Sequence, residues 1–410
     1  MPRLNSLFSF DFVEKKHASP FVFCPSSSSS LGLKGDYTAL ARLGYEQNVM
    51  VYRCVNLVAR SAAAVPLRLY NNGEQLAEHP LLTLLARPNP LQGGSAFLES
   101  VLSFLLLSGN AYIEAIGPDT EAPQELYALR PDRLRIVPGA RGLPAAYEYK
   151  VQQKRRQIAV DPVSGHCPLL HIKFFHPAND WYGLSPLEAA RQSIAFHGTV
   201  ARHNMSLLEN GGRPSGALCL KEGAHHLSEE QRQELRESLS DMYRGAGKAG
   251  QMMVLEGGFD WKEMGFSPKD MDFNQGKNMA AREIAQAFGV PPMLVGVPGD
   301  ATFSNYKEAR LHLWEDTILP LLNRLINHLN TWLVPVYSGS AGDLHVTYDA
   351  DAIPPLAHKR ESTWERLDRC TFLTTNEKRE ALGYPPLKEG DALAQPANEK
   401  KERNHVASAS

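Results

Sequence analysis

The stretch that most constrains the fold is residues 268–334, which read as a helix, a Pro/Gly-rich loop and a much longer helix. In the long helix, apolar residues recur every three or four positions, which places them on one helical face. These residues are Leu311, Trp314, Ile318, Leu321, Leu325, Leu329 and Trp332. At about 1.5 Å per residue the helix would be roughly 45 Å long. A helix of this length, preceded by a long loop, is unusual in a compact enzyme domain.

Pro320 lies inside this apolar pattern. Proline removes a backbone donor and its ring clashes with the preceding turn. We therefore expect a kink at 316–320 rather than the end of the helix. Asn305, with Glu308 three residues later, resembles a capping box and predicts the start of this helix.

The shorter helix and the loop carry their own boundary signals. Ser267 followed by Pro268 is an N-cap with proline at the first helical position. Gly289 stands where a left-handed C-cap would end the helix. Pro291 and Pro292 then prevent its continuation. These signals predict a loop over 290–304.

Upstream, short runs rich in Tyr, Ile and Val alternate with turn residues, which is typical of hairpin strands. They lie at 111–116, 125–130, 133–137, 147–152 and 169–175. We expect an antiparallel sheet built from hairpins and an α+β fold class.

A second long helix is predicted from Ser185, a cap followed by Pro186, to about residue 210. Arg191 and Arg202 lie eleven residues apart, which is close to a whole number of helical turns. Both side chains therefore lie on the same side of the helix and give it a basic edge. On the residues alone, an ordinary solvated helix face is the better explanation of this edge.

Residues 213–266 are predicted to form a small αβ unit between this helix and the shorter helix that starts at Pro268. It has a strand at 217–221, a helix capped by Ser228 with Gln231 three residues on, and a hairpin of 251–256 with 259–264. One helix leads into this small module and another leads back from it. This arrangement predicts a stalk formed by the two helices, with the module as its head.

The composition excludes several classes of protein. The net charge of −2 over 410 residues argues against a surface that grips nucleic acid along its whole length. Five scattered cysteines indicate a reducing compartment without a disulfide framework. We expect no signal peptide, and the most apolar run, at 101–107, is too short to span a bilayer.

Three possible sites of chemistry were weighed. Residues 245–250 match GxGxxG, but the predicted order of helix, glycines and strand offers no helix N-terminus to a phosphate. His166, Cys167, His171 and His176 lie close together in sequence, but no pair has CxxC or HxxxH spacing. His171 and His176 would also point to opposite faces of a strand, which disfavours a zinc site. Asp349 and Asp351 could seed a two-metal nuclease site, but no third carboxylate with a basic partner lies nearby. We therefore expect no catalytic residues, no metal and no cofactor.

Several stretches, in their order and spacing, resemble the portal proteins of tailed phages, in the siphophage branch that also supplies gene transfer agents. The matching stretches are VYRCVNLVARSAAAVPLRLY, HPLLTLLARPNP, LLLSGNAYIEA, GLSPLEAAR, ENGGRPSGAL, SPKDMDF, EIAQAFGVPPMLVG and LTTNEKREALGYPP. The resemblance runs from about Val51 to Asp391 and implies a ring of twelve subunits at one capsid vertex, with DNA passing through its axis.

The resemblance also implies a division of the chain into regions. These are a disordered arm (1–36), a β-rich wing (37–184), a stem helix (185–210), a clip (211–266), a second stem helix (267–289), a tunnel loop (290–304), a long kinked helix (305–334), a wing return with a short helical crown (335–390) and a flexible tail (391–410).

Candidate site residues follow from this division. In the tunnel loop they are Met293, Leu294, Val295, Val297, Asp300, Ala301, Thr302 and Phe303; facing the channel from the stem they are Arg191, Arg202, Lys269, Lys277 and Arg282; in the clip they are Arg213, Arg244 and Lys248; and Pro320 marks the kink. Because the loop is mostly apolar, with Asp300 its only formal charge, we expect steric, low-friction contact with DNA and weak phosphate contacts in the stem.

The expected partners are eleven further copies of the chain, non-specific double-stranded DNA, the large terminase, the major capsid protein and a head–tail adaptor, without a membrane. The expected location is the portal vertex of the virion, with assembly in the bacterial host cytoplasm. Two alternatives stay open at this point: a metal-dependent nuclease using Asp349 and Asp351, and a capsid or adaptor protein without a DNA channel.

Overall fold

The computed structural model describes most of the chain between residues 37 and 393. The described residues are 37–118, 122–139, 142–209, 216–220, 228, 230–231, 233, 237, 259–263, 273–299, 303–338, 343–382, 386–388 and 390–393. The predictions made for the N-terminal arm, the glycine-rich stretch 245–250, most of the clip, Ser267, Pro268 and most of the C-terminal tail lie outside these residues.

The helices account for most of the regular structure. They are α1 (Tyr37–Ala41), α2 (Val49–Ala63), α3 (Pro80–Ala86), α4 (Gly94–Ser108), α5 (Pro186–Ala189), α6 (Arg191–Glu209), α7 (Phe273–Ala287), α8 (Phe303–His312), α9 (Leu319–Trp332), α10 (Val334–Tyr337), α11 (Pro354–Arg369) and α12 (Thr375–Ala381). A π-helical segment, Arg42–Glu46, follows α1, and a second, Leu313–Ile318, joins α8 to α9.

Helix boundaries follow the local chemistry of the sequence. The Asn48 side chain accepts hydrogen bonds from the backbone N–H groups of Met50 and Val51 and so starts α2. Gly109 ends α4 at a φ of 73°, a left-handed value that suits glycine. The Ser185 hydroxyl accepts from the Glu188 N–H at 2.9 Å, as predicted from the Ser-Pro start.

The strands form small antiparallel sheets rather than one. They are β1 (Leu67–Asn71), β2 (Glu74–Leu76), β3 (Asn110–Ile116), β4 (Glu125–Leu129), β5 (Leu134–Pro138), β6 (Pro144–Val151), β7 (Lys154–Ala159), β8 (Leu169–Lys173), β9 (Gly216–Leu220), β10 (Phe259–Glu263) and β11 (Leu344–Tyr348). Their orders are β11-β1-β2, β4-β3-β8, β5-β6-β7 and β10-β9.

Apolar side chains of the sheets β4-β3-β8 and β5-β6-β7 meet in one buried cluster. The cluster holds Tyr112, Leu129, Leu134, Ile136, Tyr147, Ile158, Val160, Cys167, Leu169 and Trp181. A second buried region surrounds α2, where Val51, Cys54, Val55 and Val58 have no exposed surface. Full burial on successive turns makes α2 a central core helix.

The chain divides into two compact units. One comprises the residues up to Ala64 together with Arg68–Thr347, and the other comprises Val65–Leu67 and the residues from Tyr348 onward. In the second unit, Thr374 and Glu377 form a capping box at the start of α12. The Asn376 side chain, which is 9% exposed, donates to the Leu387 carbonyl and to Asp391.

Several predicted boundaries differ from the structure. One antiparallel sheet was expected, whereas strands of that region form the two three-stranded sheets β4-β3-β8 and β5-β6-β7. The long helix begins at Phe303, so Asn305 lies inside it rather than capping it. The strand expected at 259–264 is β10, and it pairs with β9 in antiparallel fashion. In this register Phe259 lies opposite Leu220, and Glu263 lies opposite Gly216.

None of the helices that the structure describes combines the length and the apolar character that crossing a lipid bilayer requires.

Candidate functional site

The helices α6 and α7 pack side by side in antiparallel directions. The Ser193 hydroxyl of α6 donates to the Glu283 carboxylate of α7. Three residues further along α6, the Phe196 ring lies so close to Gly276 that a Cβ there would come within 3.1 Å of it. As the residue number rises along α6, the number of the contacted residue on α7 falls, so the two helices are antiparallel. It is the helix pair that the sequence predicted on either side of the small module.

The chain reverses direction directly after α7. Gly289 has a φ of 66°, the left-handed value predicted for a C-cap. A short 3-10 helix, Pro292–Val295, follows and ends at Gly296 with a φ of 83°. Val290, Leu294 and Val297 are buried, at 2%, 9% and 7% exposure. The first part of the predicted loop is therefore a folded turn with its own apolar contacts.

Two side chains hold this turn. The Thr317 hydroxyl donates to the Gly289 carbonyl at 2.7 Å. The guanidinium of Arg282, on α7, donates to the Pro298 carbonyl. A Cβ on Gly299 would lie 3.0 Å from Arg282 Nη2. The turn is thus fixed near its beginning by the long helix and near its end by α7.

The long helix runs without a break through α8, the π-helical segment Leu313–Ile318 and α9. Pro320, where a kink was predicted, is the second residue of α9. Both a proline and a π-helical turn are recognised causes of helix bending. The departure from α-helical geometry begins earlier than predicted, at Leu313, and includes Thr317, the residue that contacts Gly289.

The stem cations predicted to face a channel have different surroundings. Arg191 donates to Glu188 at 2.8 Å, and its side chain is 19% exposed, so its charge is largely matched within the chain. Arg202 is exposed and donates to the Thr199 hydroxyl. Lys277 is partly exposed, and its charge adds to burial in lowering the pKa of His197. Arg282 contacts the turn. Lys269 and the clip residues Arg213, Arg244 and Lys248 lie outside the described residues.

The tunnel-loop residues also separate into groups. Leu294 and Val297 are buried within their own chain, which corrects the expectation that they offer apolar surface to DNA. Met293 and Val295 keep partial exposure. Phe303 is the first residue of α8. Asp300, Ala301 and Thr302 lie outside the described residues.

His171, one of the histidines of the predicted zinc alternative, is a partly buried residue of β8 that packs against a core tyrosine. His171 stacks on Tyr112 with ring centroids 4.4 Å apart, and its Nε2 lies 3.0 Å from Asn110 Oδ1. Burial, assisted by Lys173 and His328, lowers the pKa of His171 to about 3. The imidazole is therefore neutral at physiological pH.

The part of the chain that the structure describes contains no group of three or more His, Cys, Asp or Glu side chains that could hold a metal ion. Asp349 follows β11, and its backbone N–H donates to the Pro66 carbonyl at 2.9 Å. The side chain of Asp351 lies outside the description.

Thr317 is a contact residue of the turn that the sequence reasoning missed. Gly289 was predicted as a C-cap from its place after an apolar helix, but nothing in the sequence indicates which side chain receives its carbonyl. That partner lies 28 positions away. A threonine on the flank of an apolar stripe carries no periodic signal of such a contact.

Comparison with known proteins agrees with this architecture. A family model described as phage portal protein matches residues 50–383. An uncharacterized protein of Rickettsia bellii (strain RML369-C) is 44% identical over 351 residues, 85% of this chain and 90% of the relative. The portal protein of Enterobacteria phage HK97 is 25% identical over 362 residues, 85% of this chain and 81% of the relative.

Solved structures of gene transfer agent particles also match. A chain from the neck of an empty particle, computed with C6 symmetry, has 43% identity and a TM-score of 0.68, covering 86% of this chain and 94% of that chain. A chain from the neck of a native particle, computed with C12 symmetry, has 42% identity and a TM-score of 0.66, with the same coverage of 86% and 94%.

The chain belongs to the phage portal protein family. Portal proteins are a structural, non-enzymatic class, so the chain is a head–tail connector component and not an enzyme. This class excludes the nuclease alternative built on Asp349 and Asp351.

Proposed function

We propose that the chain is one of twelve identical subunits of a ring at one vertex of a capsid, through which double-stranded DNA enters during packaging and leaves during ejection. The observation that carries this proposal is the turn 289–299, fixed between an antiparallel helix pair and a long helix, in a chain of the portal family. The matched neck particles, computed with C12 and C6 symmetry, support a ring within a virion.

In this proposal, DNA makes few specific polar or ionic contacts with the channel. A duplex that must slide needs contacts that do not hold its phosphates in one register, since each phosphate neutralised by Lys or Arg adds salt-dependent affinity. The partly exposed apolar side chains of Met293 and Val295 supply steric contact. Arg202 and Lys277 supply weak phosphate contacts from the helix pair. Arg191 contributes less, because Glu188 neutralises it.

The partners are assigned by region. The small module between α6 and α7 binds the large terminase during packaging and a head–tail adaptor afterwards, and Arg213, Arg244 and Lys248 are its candidate contact residues. The wing region contacts the major capsid protein. Assembly takes place in the bacterial host cytoplasm, and the finished ring resides in the virion.

Electron microscopy of the purified full-length chain tests the ring. The expected result is closed rings with a central hole and a mass that is an integral multiple of the chain mass, with twelvefold averages in assembled particles. A protein that stays monomeric at all concentrations, and particles whose vertex lacks the chain, would overturn the proposal.

A packaging assay tests the channel contacts. Particles carrying the double variant Arg202→Ala/Lys277→Ala are expected to package DNA at an altered rate while forming normal rings. The matched control is Arg155→Ala, which removes an exposed arginine from β7, far along the chain from the helix pair. Packaging indistinguishable from wild type in the double variant would remove these two residues from the channel.

A further inference from the structure

Arg282 reaches back across the turn that leaves its own helix. It lies on α7, five residues before the helix ends at Ala287, yet its guanidinium donates to the carbonyl of Pro298, sixteen positions later. A side chain on Gly299 would meet the same guanidinium. The chain after α7 therefore folds back until its backbone lies against the arginine.

Thr317 holds the other end of the turn. Its hydroxyl donates to the Gly289 carbonyl. This carbonyl lies two residues beyond the end of α7, where the backbone has left the helical hydrogen-bond pattern. A Cβ at Gly289 would lie 2.4 Å from Thr317 Oγ1, so the two elements are in direct contact. Thr317 belongs to the π-helical segment, so this anchor ties the turn to the one stretch of the long helix that departs from α-helical geometry.

Between the two anchors, the turn is held by packing. Val290, Leu294 and Val297 are buried, whereas Gly296, Pro298 and Gly299 are exposed. The exposed end has little apolar surface to hold it in place, and its backbone carbonyl at Pro298 is bound by Arg282. Loss of Arg282 is therefore expected to release this end without unfolding the buried part.

We infer that Arg282 and Thr317 are positioning residues that fix the conformation of the segment 289–299, and that Arg282 acts on this segment rather than on DNA phosphate. The inference rests on the proposed function, in which this segment borders the channel. It departs from the sequence-based expectation for Arg282, because the guanidinium is directed at a protein carbonyl.

Hydrogen–deuterium exchange on the purified, DNA-free, full-length chain tests the inference. Arg282→Ala is expected to raise exchange of the amides in 293–299 by roughly fivefold, the effect of losing one ordinary hydrogen bond. Thr317→Val, which keeps the shape and removes the hydroxyl, is expected to do the same around 289–290. A phosphate-binding role for Arg282 predicts no change when DNA is absent.

Matched controls separate a local effect from general loosening. Arg310→Ala removes another exposed arginine, on α8, and Thr331→Val removes a hydroxyl that donates to Asn327 within α9. Neither is expected to change exchange in 289–299. Arg282→Lys keeps a donor and should restore much of the protection, whereas Arg282→Met keeps the length without a donor and should not.

The outcomes distinguish this inference from the proposed function. Wild-type exchange in Arg282→Ala, or an equal rise in Arg310→Ala, would overturn the positioning role even if rings form. Rings that fail to form in the wild-type protein would overturn the proposed function, while a localised rise in exchange would still support the two anchors.

Discussion

The buried carboxylate of Glu114, on β3, accepts two hydrogen bonds from the guanidinium of Arg156, on β7, at 2.5 and 2.6 Å. The Glu114 side chain is 7% exposed and that of Arg156 is 54% exposed. Since β3 and β7 belong to different sheets, the pair joins the sheets β4-β3-β8 and β5-β6-β7 beyond their shared apolar cluster.

Arg156→Ala is expected to lower the free energy of unfolding by about 2 kcal/mol, because it leaves the Glu114 carboxylate buried without its donor. The matched control is Arg155→Ala, which breaks a pair with Glu148 that is 64% and 25% exposed. That loss should stay below about 1 kcal/mol. Urea denaturation of the two variants checks the difference, and equal midpoints would contradict the bridging role.

Gly289→Ala is expected to cost more stability than Gly296→Ala. Both glycines have left-handed φ values, so each substitution incurs about 1 kcal/mol of backbone strain. At Gly289 the new Cβ would also meet Thr317 Oγ1 at 2.4 Å, whereas nothing lies within 4 Å at Gly296. Thermal denaturation measures the difference, and adding Thr317→Ala to Gly289→Ala should recover part of the loss. No recovery would mean that the collision with Thr317 is not the cause.

Leu294→Ala is expected to lower the free energy of unfolding by about 2–4 kcal/mol, the usual cost of truncating a buried leucine. Met293→Ala, at the neighbouring, partly exposed position, should cost no more than about 1 kcal/mol. Chemical denaturation of both variants tests whether the turn is folded as described. Similar small losses would indicate that Leu294 is not packed inside the chain.

Stability is expected to fall as the pH drops below 6.5, in part because of His171. Its pKa is about 3 in the folded chain, against an ordinary value of 6.5, so between these values the unfolded chain binds more protons. The stabilising effect is complete above pH 6.5 and is lost towards pH 3, at up to about 1.4 kcal/mol per pH unit.

His171→Gln tests this dependence, since glutamine keeps an N–H donor for Asn110 but does not titrate. The variant should show a shallower decline of the thermal midpoint between pH 6 and pH 4 than the wild-type chain. Some decline will remain, because burial also lowers the pKa values of His197 and His328. Parallel curves for variant and wild type would contradict the assignment.

The parts of the fold that sequence reasoning predicted correctly depend on local chemistry. Gly289 has the left-handed backbone expected of a C-cap, and Ser185 caps its helix as expected. In each case the signal lies within a few residues of the feature it controls. The apolar spacing from Leu311 to Trp332 predicted one long helix for the same reason.

The parts that were missed depend on contacts between distant residues. The partners of Arg282 and Thr317 lie 16 and 28 positions away, and no spacing rule connects them. The apolar turn was read as surface for DNA because a loop has no period that separates inward from outward side chains. The 3-10 helix that carries Leu294 packs against α2, which lies far earlier in the chain.

The π-helical segment at Leu313–Ile318 also sets the rotational phase of the long helix. A π-helical turn accommodates one residue more than an α-helical turn, so α8 and α9 are offset by that surplus residue. Because the π-helical turn absorbs this residue, deleting one residue from the segment would permit an unbroken α-helix and would leave α8 at nearly the same rotation relative to α9. A deletion within α8 itself would instead turn the residues before it by about 100°, and exposed side chains such as Tyr306 would move towards the interior.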